Sequence, residues 1–340
     1  MARLGLATPA RFNSTNAAAP KPTCGLSAQR VGEPTVSSFF ETSTSTWQYI
    51  VSDPGTKKAV IIDPVLDYSP ASGEITTKTA DGLLAFVEQQ GLDVVMLLET
   101  HAHADHLTAA QYLKSRLGGS VPVAIGKRIK AVQKTFARVY GVPAEELEGC
   151  FDKLWEDDEK FMIGELECEV MHLPGHTPDH VGYRCGKALF VGDVIFYPDV
   201  GSARADFPGG SPTDLYKSVQ RVLSLDPDLR IYAGHDYPPP GGQPGERCWS
   251  LVSEQRAKNV HLKIPQVEPA QESGGVASSG TDEEALNAFI EWRGQRDKTL
   301  GAPRLLHPSL QVNIRAGRLP PGDGTGRRAF KIPLKVPEGM

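Results

Sequence analysis

Val94-Val95-Met96-Leu97-Leu98-Glu99-Thr100-His101-Ala102-His103-Ala104-Asp105-His106 is the stretch on which the reading of the fold turns. Its first five residues form a continuous apolar run of strand length. Four groups able to bind a metal (His101, His103, Asp105 and His106) follow within six residues, on a strand-to-helix turn. Such a turn aims side chains from both elements at one point. Imidazoles mixed with a carboxylate suit zinc or iron rather than the all-oxygen sites of calcium and magnesium. The same pattern recurs downstream in Gly175-His176-Thr177-Pro178, Gly192-Asp193 and Gly234-His235-Asp236-Tyr237, each at or one short turn beyond the end of an apolar strand. A glycine precedes each of these three groups and permits tight backbone geometry. Seven of the nine histidines lie between His101 and His235, a clustering that calls for a chemical reason.

Outward from this stretch, Trp47–Val51 and Ala59–Ile62 read as paired strands joined through Asp53-Pro54-Gly55. Residues 80–90 place Leu83, Leu84, Phe86 and Val87 at helical spacing, and Gly91 stops them. A helix is expected through Leu107, Ala110, Leu113 and Leu117, then a strand over 121–125 and a helix bearing Ile129, Val132, Phe136 and Tyr140. Residues 166–170 alternate apolar with glutamate, the pattern of a half-buried strand. Strands over 181–184 and 188–191 meet at Gly186, and Ser211-Pro212-Thr213-Asp214 opens a helix before a last strand at 230–233. Paired strands first, then strands alternating with helices, predict an α/β layered fold.

The chain has 340 residues, 40% of them hydrophobic and 23% charged, which is ordinary globular usage. Its net charge of -5 gives no support to nucleic-acid binding, which wants a basic face. No apolar run approaches the ~20 residues needed to cross a bilayer. Residues 1–32 carry Arg3, Arg11, Lys21 and Arg30 and no acid, with much Ala, Ser and Thr. They read as a leader of the mitochondrial transit type, with a matrix-protease-like stretch at Arg11-Phe12-Asn13-Ser14-Thr15; the alternative is a cytoplasmic protein with a dispensable leader. Residues 35–262 then form the catalytic domain, 263–280 a flexible loop, and 281–340 a C-terminal helix and arm packed on that domain. The loop and the arm are candidates for an interface between two copies of the chain. Five cysteines, with no CxxC pair, read as unpaired thiols of a reducing compartment.

The ordered series of motifs at His101–His106, His176, Asp193 and His235 resembles the metallo-β-lactamase superfamily. That resemblance implies an αββα sandwich, two β-sheets flanked by helices with metal at one edge. With two Zn(II) it implies one position at His101, His103 and His176, and a second at Asp105, His106 and His235, with Asp193 bridging. Such a centre hydrolyses thioesters, as glyoxalase II does, or lactones or lactams. The segments Asp199–Phe207, Leu215–Val219 and Leu305–Asn313 are similar to the persulfide dioxygenase (sulfur dioxygenase) branch. There the resemblance implies one Fe(II) per chain on His101, His176 and Asp193, a two-histidine, one-carboxylate set that leaves open positions for substrate and O2. The implied substrate is glutathione persulfide, oxidised to sulfite with release of glutathione.

In that reading His103, Asp105, His106 and His235 fix imidazole tautomers and bound water, with Asp105 and His106 as the catalytic candidates. Arg204 is the candidate clamp for a glutathione carboxylate, its alternative being a loop link to Asp206 or Asp199, and Tyr197 with Tyr237 is a candidate for the pocket wall. His180 reads as a surface imidazole or one behind the ligands, and His172 as a strand-end residue. His261 and His307 lie outside the cluster. An idle metal-binding scaffold would leave this whole donor set without turnover.

Overall fold

The computed structural model of the chain describes residues 20–26, 32–238, 240–262 and 282–337. A seven-stranded sheet runs in the order Cys24–Leu26, Thr35–Glu41, Thr46–Ser52, Lys58–Ile62, Asp93–Leu98, Val123–Gly126, Lys153–Trp155. A six-stranded sheet runs Lys160–Ile163, Leu166–His172, Val181–Cys185, Ala188–Gly192, Arg230–Ala233, Ser250–Leu251. The apolar runs are continuous because the central strands are covered on both faces. Tyr49, Val51, Val60, Ile62 and Leu98 point between the sheets, against Val170, Tyr183, Phe190 and Tyr232. Their neighbours Ile50, Ile61 and Leu97 point outward, onto Leu83, Phe86, Val132 and Phe136 of the helices Lys78–Gln90 and Ile129–Tyr140. On the far side Leu189, Val191 and Ile231 pack against Leu215, Val219 and Val222 of the helix Pro212–Leu223. The layers are therefore helix, sheet, sheet, helix, as the resemblance implied.

Local signals account for most element ends. Ser211 Oγ accepts from Asp214 N at 3.1 Å, the N-cap expected there, and Gly91 closes its helix in the left-handed conformation. The helix expected from Leu107 starts later, at Ala110. Leu107–Thr108 pairs instead with Val65–Leu66 in a small third sheet, a long-range pairing that helical spacing does not reveal. Helix Asp282–Lys298 packs Phe289 on Tyr216 with ring centroids 5.4 Å apart. Residues 321–337 run over the surface, with Phe330 against Tyr68.

Two expectations need correction. The reading of residues 1–32 as a detachable leader fails at its end, because Cys24–Leu26 pairs antiparallel with Val36–Ser38 as an edge strand. Cys24 and Cys248 are also joined by a disulfide across 224 positions, so the expectation of unpaired thiols holds only for the buried Cys150, Cys168 and Cys185. Residues 1–19, with the protease-like stretch, and the loop 263–280 lie outside the described residues. Among the described residues no helix is long and apolar enough to cross a membrane.

Candidate metal centre

Four parallel strands end at the same edge of the sandwich: Lys58–Ile62, Asp93–Leu98, Ala188–Gly192 and Arg230–Ala233. Their C-terminal ends deliver Asp63, His101 with His103, Asp193 and His235, the crevice position where α/β sheets bind ligands. His176 arrives from the turn after Leu166–His172. Thr46 bridges to His235, and Trp47 N donates to Gly234 O at 2.8 Å, so the two sheets are stitched together at the site. Glycine at 234 is required by packing: a Cβ there would come 2.4 Å from Asp193 Oδ1.

His101, His176 and Asp193 bring one ligand atom each to within 4.8 Å of one another. Asp193 Oδ2 lies 4.0 Å from His101 Nε2 and 3.7 Å from His176 Nε2. His103 does not join that trio; it groups with Asp105 and His106, and separately with Asp63 and Glu99. Asp105, Asp193 and His235 make a further group, His235 Nε2 being 3.2 Å from Asp105 Oδ2 and 3.4 Å from Asp193 Oδ2.

Each imidazole has one nitrogen engaged by the protein, which decides which nitrogen is left for a ligand. His176 Nδ1 donates to the Arg204 carbonyl at 2.8 Å. His101 Nδ1 donates to Thr100 Oγ1 at 3.0 Å, and that hydroxyl donates on to Asp63 at 2.8 Å. His103 Nε2 is held by Asp63 at 3.0 Å and Glu99 at 3.3 Å. His106 Nδ1 faces Asp105 at 3.1 Å, and His235 Nδ1 donates to Ser45 O at 3.1 Å. What remains without a partner, fully buried, is His101 Nε2, His103 Nδ1, His106 Nε2 and Asp193 Oδ1. Buried donor atoms left without a partner on His101, His106 and Asp193, with His103 Nδ1 beside them, are the signature of a site made for cations, and the donor set fits iron or zinc.

The electrostatics agree. Burial, then the neighbouring His103, His180, His176 and His106, holds His101 well below the usual imidazole range, in the neutral form that ligates. Burial and His103 likewise lower His106. Burial alone would push Asp193 up, yet His235 and His176 bring it below the usual carboxylate range, so it is ionised. His180 is not on the surface: its Nε2 accepts from Asp193 N at 2.9 Å and its ring stacks on His101, with centroids 4.7 Å apart. Burial pushes it down to about 3, so it acts as a neutral prop behind two ligands. His172 ends its strand, as expected.

Spacing along the chain does not reveal Asn313, from the helix Leu306–Asn313. Its Nδ2 donates to His103 O and His106 O at 2.8 Å each, and its Oδ1 accepts from Thr108 N at 2.9 Å. One buried amide thus ties both ends of the ligand loop. Asn313→Ala leaves three buried backbone groups unpaired, at ~1–3 kcal/mol each before relaxation. We expect a loss of order 3 kcal/mol in the unfolding free energy of metal-free protein, read as a lower urea midpoint, and faster metal loss to a chelator; an unchanged midpoint would refute the clamp.

A cavity of about 770 Å³ opens over His176, Asp193 and Asp105, walled by Ser43, Phe196 and Tyr237 among others. Tyr237 stacks on His235, centroids 5.2 Å apart, and faces the cavity as expected. Tyr197 does not: it is buried, with Arg247 lying over its ring. Arg204 lines the cavity, but its Nε and Nη2 donate to both oxygens of Asp206 at 2.5 and 2.6 Å, the loop link that was its alternative reading. Its carbonyl, not its guanidinium, serves the metal centre. His261 is in none of the donor groups and lines the cavity together with Arg293, Arg296 and Arg304. His307 does stand apart, against Tyr140.

Two sheets that meet at an edge of buried imidazoles and carboxylates define a metal-dependent enzyme of the αββα class. The chain belongs to the metallo-β-lactamase superfamily: the sequence model of that superfamily matches residues 42–235. A beta-lactamase hydrolase-like protein of Xylella fastidiosa is 45% identical over 315 residues, covering 92% of this chain and 68% of that protein. The mitochondrial persulfide dioxygenase ETHE1 of Homo sapiens is 30% identical over 229 residues, covering 66% of this chain and 75% of that enzyme. The crystal structure of ETHE1 from Myxococcus xanthus superposes with a TM-score of 0.62 at 24% identity, over 83% of this chain and 99% of that one, a likeness of fold.

Proposed function

We propose that this chain is a persulfide dioxygenase with one Fe(II) per chain, which converts glutathione persulfide, O2 and water into glutathione and sulfite. The observation that carries this reading is the trio His101, His176 and Asp193, complete without His103. A two-histidine, one-carboxylate face supports a mononuclear iron site with positions open to substrate and O2. When bound there, the iron supplies those open positions and the electrons that activate O2. Everything else is done by the chain. Thr100 and the Arg204 carbonyl fix His101 and His176 in the tautomers that offer Nε2. His180 holds the Asp193 backbone. His235 lies across Asp105 and Asp193 and leaves neither carboxylate oxygen pair free to swing. Asp105, partly exposed in the cavity and held ionised by His235 and His106, is placed to accept a hydrogen bond from a water or from the persulfide.

A second reading, a dinuclear Zn(II) hydrolase of a thioester, lactone or lactam, is favoured by the unpaired His103 Nδ1 and His106 Nε2. The hydrolase-like Xylella relative also supports it. The deciding measurement is oxygen uptake by anaerobically iron-loaded protein on addition of glutathione persulfide, with sulfite assayed in the same vessel. We expect one sulfite per O2 consumed. No uptake with iron confirmed in the site would transfer the assignment to the hydrolase. With the dioxygenase reading goes a mitochondrial matrix location; processing ahead of the edge strand at Cys24 is the form of it compatible with the sheet. A cytoplasmic protein is the alternative.

A further inference from the structure

Four arginines line the cavity over the metal centre: Arg204, Arg293, Arg296 and Arg304. A guanidinium can receive a substrate carboxylate only if its charge is not already spent within the protein. Arg204 is bidentate to Asp206, and its Nη1 donates to Gly301 O at 2.7 Å. Arg293 is buried, pairs with Asp297 at 2.6 Å and lies against the Trp292 ring. Drawing either one to a ligand would strand a carboxylate in a partly dry site, which is strongly unfavourable. Arg296 and Arg304 differ. Arg296 is exposed, and among the described residues neither has a carboxylate partner; Arg304 touches only the Ser43 carbonyl, at 3.3 Å. Away from the metal-facing Asp105 and Asp193, the same wall carries Asp199 as an acidic group. Two uncommitted cations against one carboxylate leave it positive.

His261 belongs to this wall. Its Nδ1 accepts from Ser202 N at 2.7 Å, and a backbone amide only donates, so in the neutral ring the proton sits on Nε2. Burial, with Arg293 and Arg296 nearby, pushes the ring down to about 4, so it is neutral at physiological pH. The contact is built into the backbone: Gly201 has φ 93°, and a Cβ there would come 2.1 Å from His261 Nδ1. The ring is packed on Trp292 with centroids 4.2 Å apart, so its N–H is a rigidly held donor near Arg296, in the cavity that Arg304 also lines.

We propose that Arg296 and Arg304, with the His261 N–H, form the anion-binding subsite of this cavity and seat the carboxylates of a thiol-peptide substrate, while Arg204 is a structural link. Under the persulfide reading above, on which the identity of the substrate rests, these are the carboxylates of glutathione persulfide. The subsite places the peptide arm on the helix Asp282–Lys298 and the segment after it, and the reactive sulfur over His176 and Asp193.

The test separates this proposal from that reading by using S-methylglutathione, which carries both carboxylates but offers no persulfide. Calorimetric titration of the metal-loaded full chain is expected to show binding that weakens as salt is raised. R296Q and R304Q should each weaken it about tenfold, the usual scale for losing one charge-assisted contact. The dimethyl ester of the same ligand should bind the wild type as weakly as the double variant binds the diacid. Wild-type protein that does not bind S-methylglutathione, or an R296Q/R304Q variant that binds it unchanged, overturns the subsite. Persulfide turnover is a separate readout: KM for glutathione persulfide should rise in the variants with kcat preserved. Normal S-methylglutathione binding without any persulfide turnover would leave the subsite standing and remove the dioxygenase.

Discussion

Asp193→Ala should empty the metal centre and lower turnover by at least about a thousandfold, because it removes the one anion shared by every donor group around it. Asp193 Oδ2 faces His101 at 4.0 Å, His176 at 3.7 Å and His235 at 3.4 Å, and its Oδ1 is buried and unpaired. Without Asp193, the His101–His176 pair loses its carboxylate partner, and Asp105 beside His235 is left as the carboxylate of the neighbouring group. Losing one member of a buried charged set is worth about 3–5 kcal/mol, a factor of ~10² to 10⁴ in metal affinity. Metal per chain, measured after gel filtration against a weak chelator, is the readout, with circular dichroism as the control for folding. Asp193→Asn guards against a folding artefact, since it keeps the size and one acceptor oxygen while losing the charge. Wild-type metal content in both variants would sink the site assignment under either functional reading.

His235→Ala should separate those readings. In a dinuclear hydrolase His235 is a ligand of the second metal, so its loss leaves one zinc and almost no activity. In the mononuclear dioxygenase it is a brace. Its Nδ1 is anchored on the Ser45 carbonyl at 3.1 Å, and its Nε2 lies 3.2 and 3.4 Å from Asp105 and Asp193. Burial would lower its pKa, but Asp193 and Asp105 outweigh burial and hold it up at about 9. Removing it therefore frees two carboxylates that the imidazolium keeps apart. We expect iron at one per chain to survive and turnover to fall about 10- to 100-fold, the range seen when a partner behind a ligand is lost. Loss of the iron itself would place His235 among the ligands and refute the trio.

The metal donors were legible because each is encoded locally. An apolar strand covered on both faces declares itself in five or six residues, and the polar group immediately after it must emerge at the strand's end. Val94–Leu98 before His101, and Ala188–Val191 before Gly192-Asp193, follow that rule. Asp63 obeys it too, after Lys58–Ile62, and the same test applied once more would have picked it out. What spacing could not say is which donors share a point. His101 and His103 are two residues apart, yet only His101 stands in the trio with His176 and Asp193. His103 is turned onto Asp63 and Glu99, an orientation chosen by carboxylates from two different strands.

By itself, then, the amino-acid sequence determined the sandwich, the edge where its parallel strands end, and the chemistry of the donors gathered there. The strands and the donors that follow them show in short-range patterns of burial, and the sandwich with its metal edge is what the resemblance of the ordered donor motifs implies. The commitments of the charged and polar groups were decided only in the tertiary structure. Arg204 reads as a free clamp until Asp206 takes both of its donors. Arg296 and Arg304 reach the cavity about a hundred positions after Asp193, the first from the helix Asp282–Lys298 and the second from the turn after it. Asn313 meets Thr108 across 205 positions, and Cys24 meets Cys248 across 224. A hydrophobic side chain needs only to be buried somewhere, so its fate shows in the pattern of its neighbours. A hydrogen bond or a charge pair needs one particular partner within about 3 Å, and chain folding alone brings that partner there.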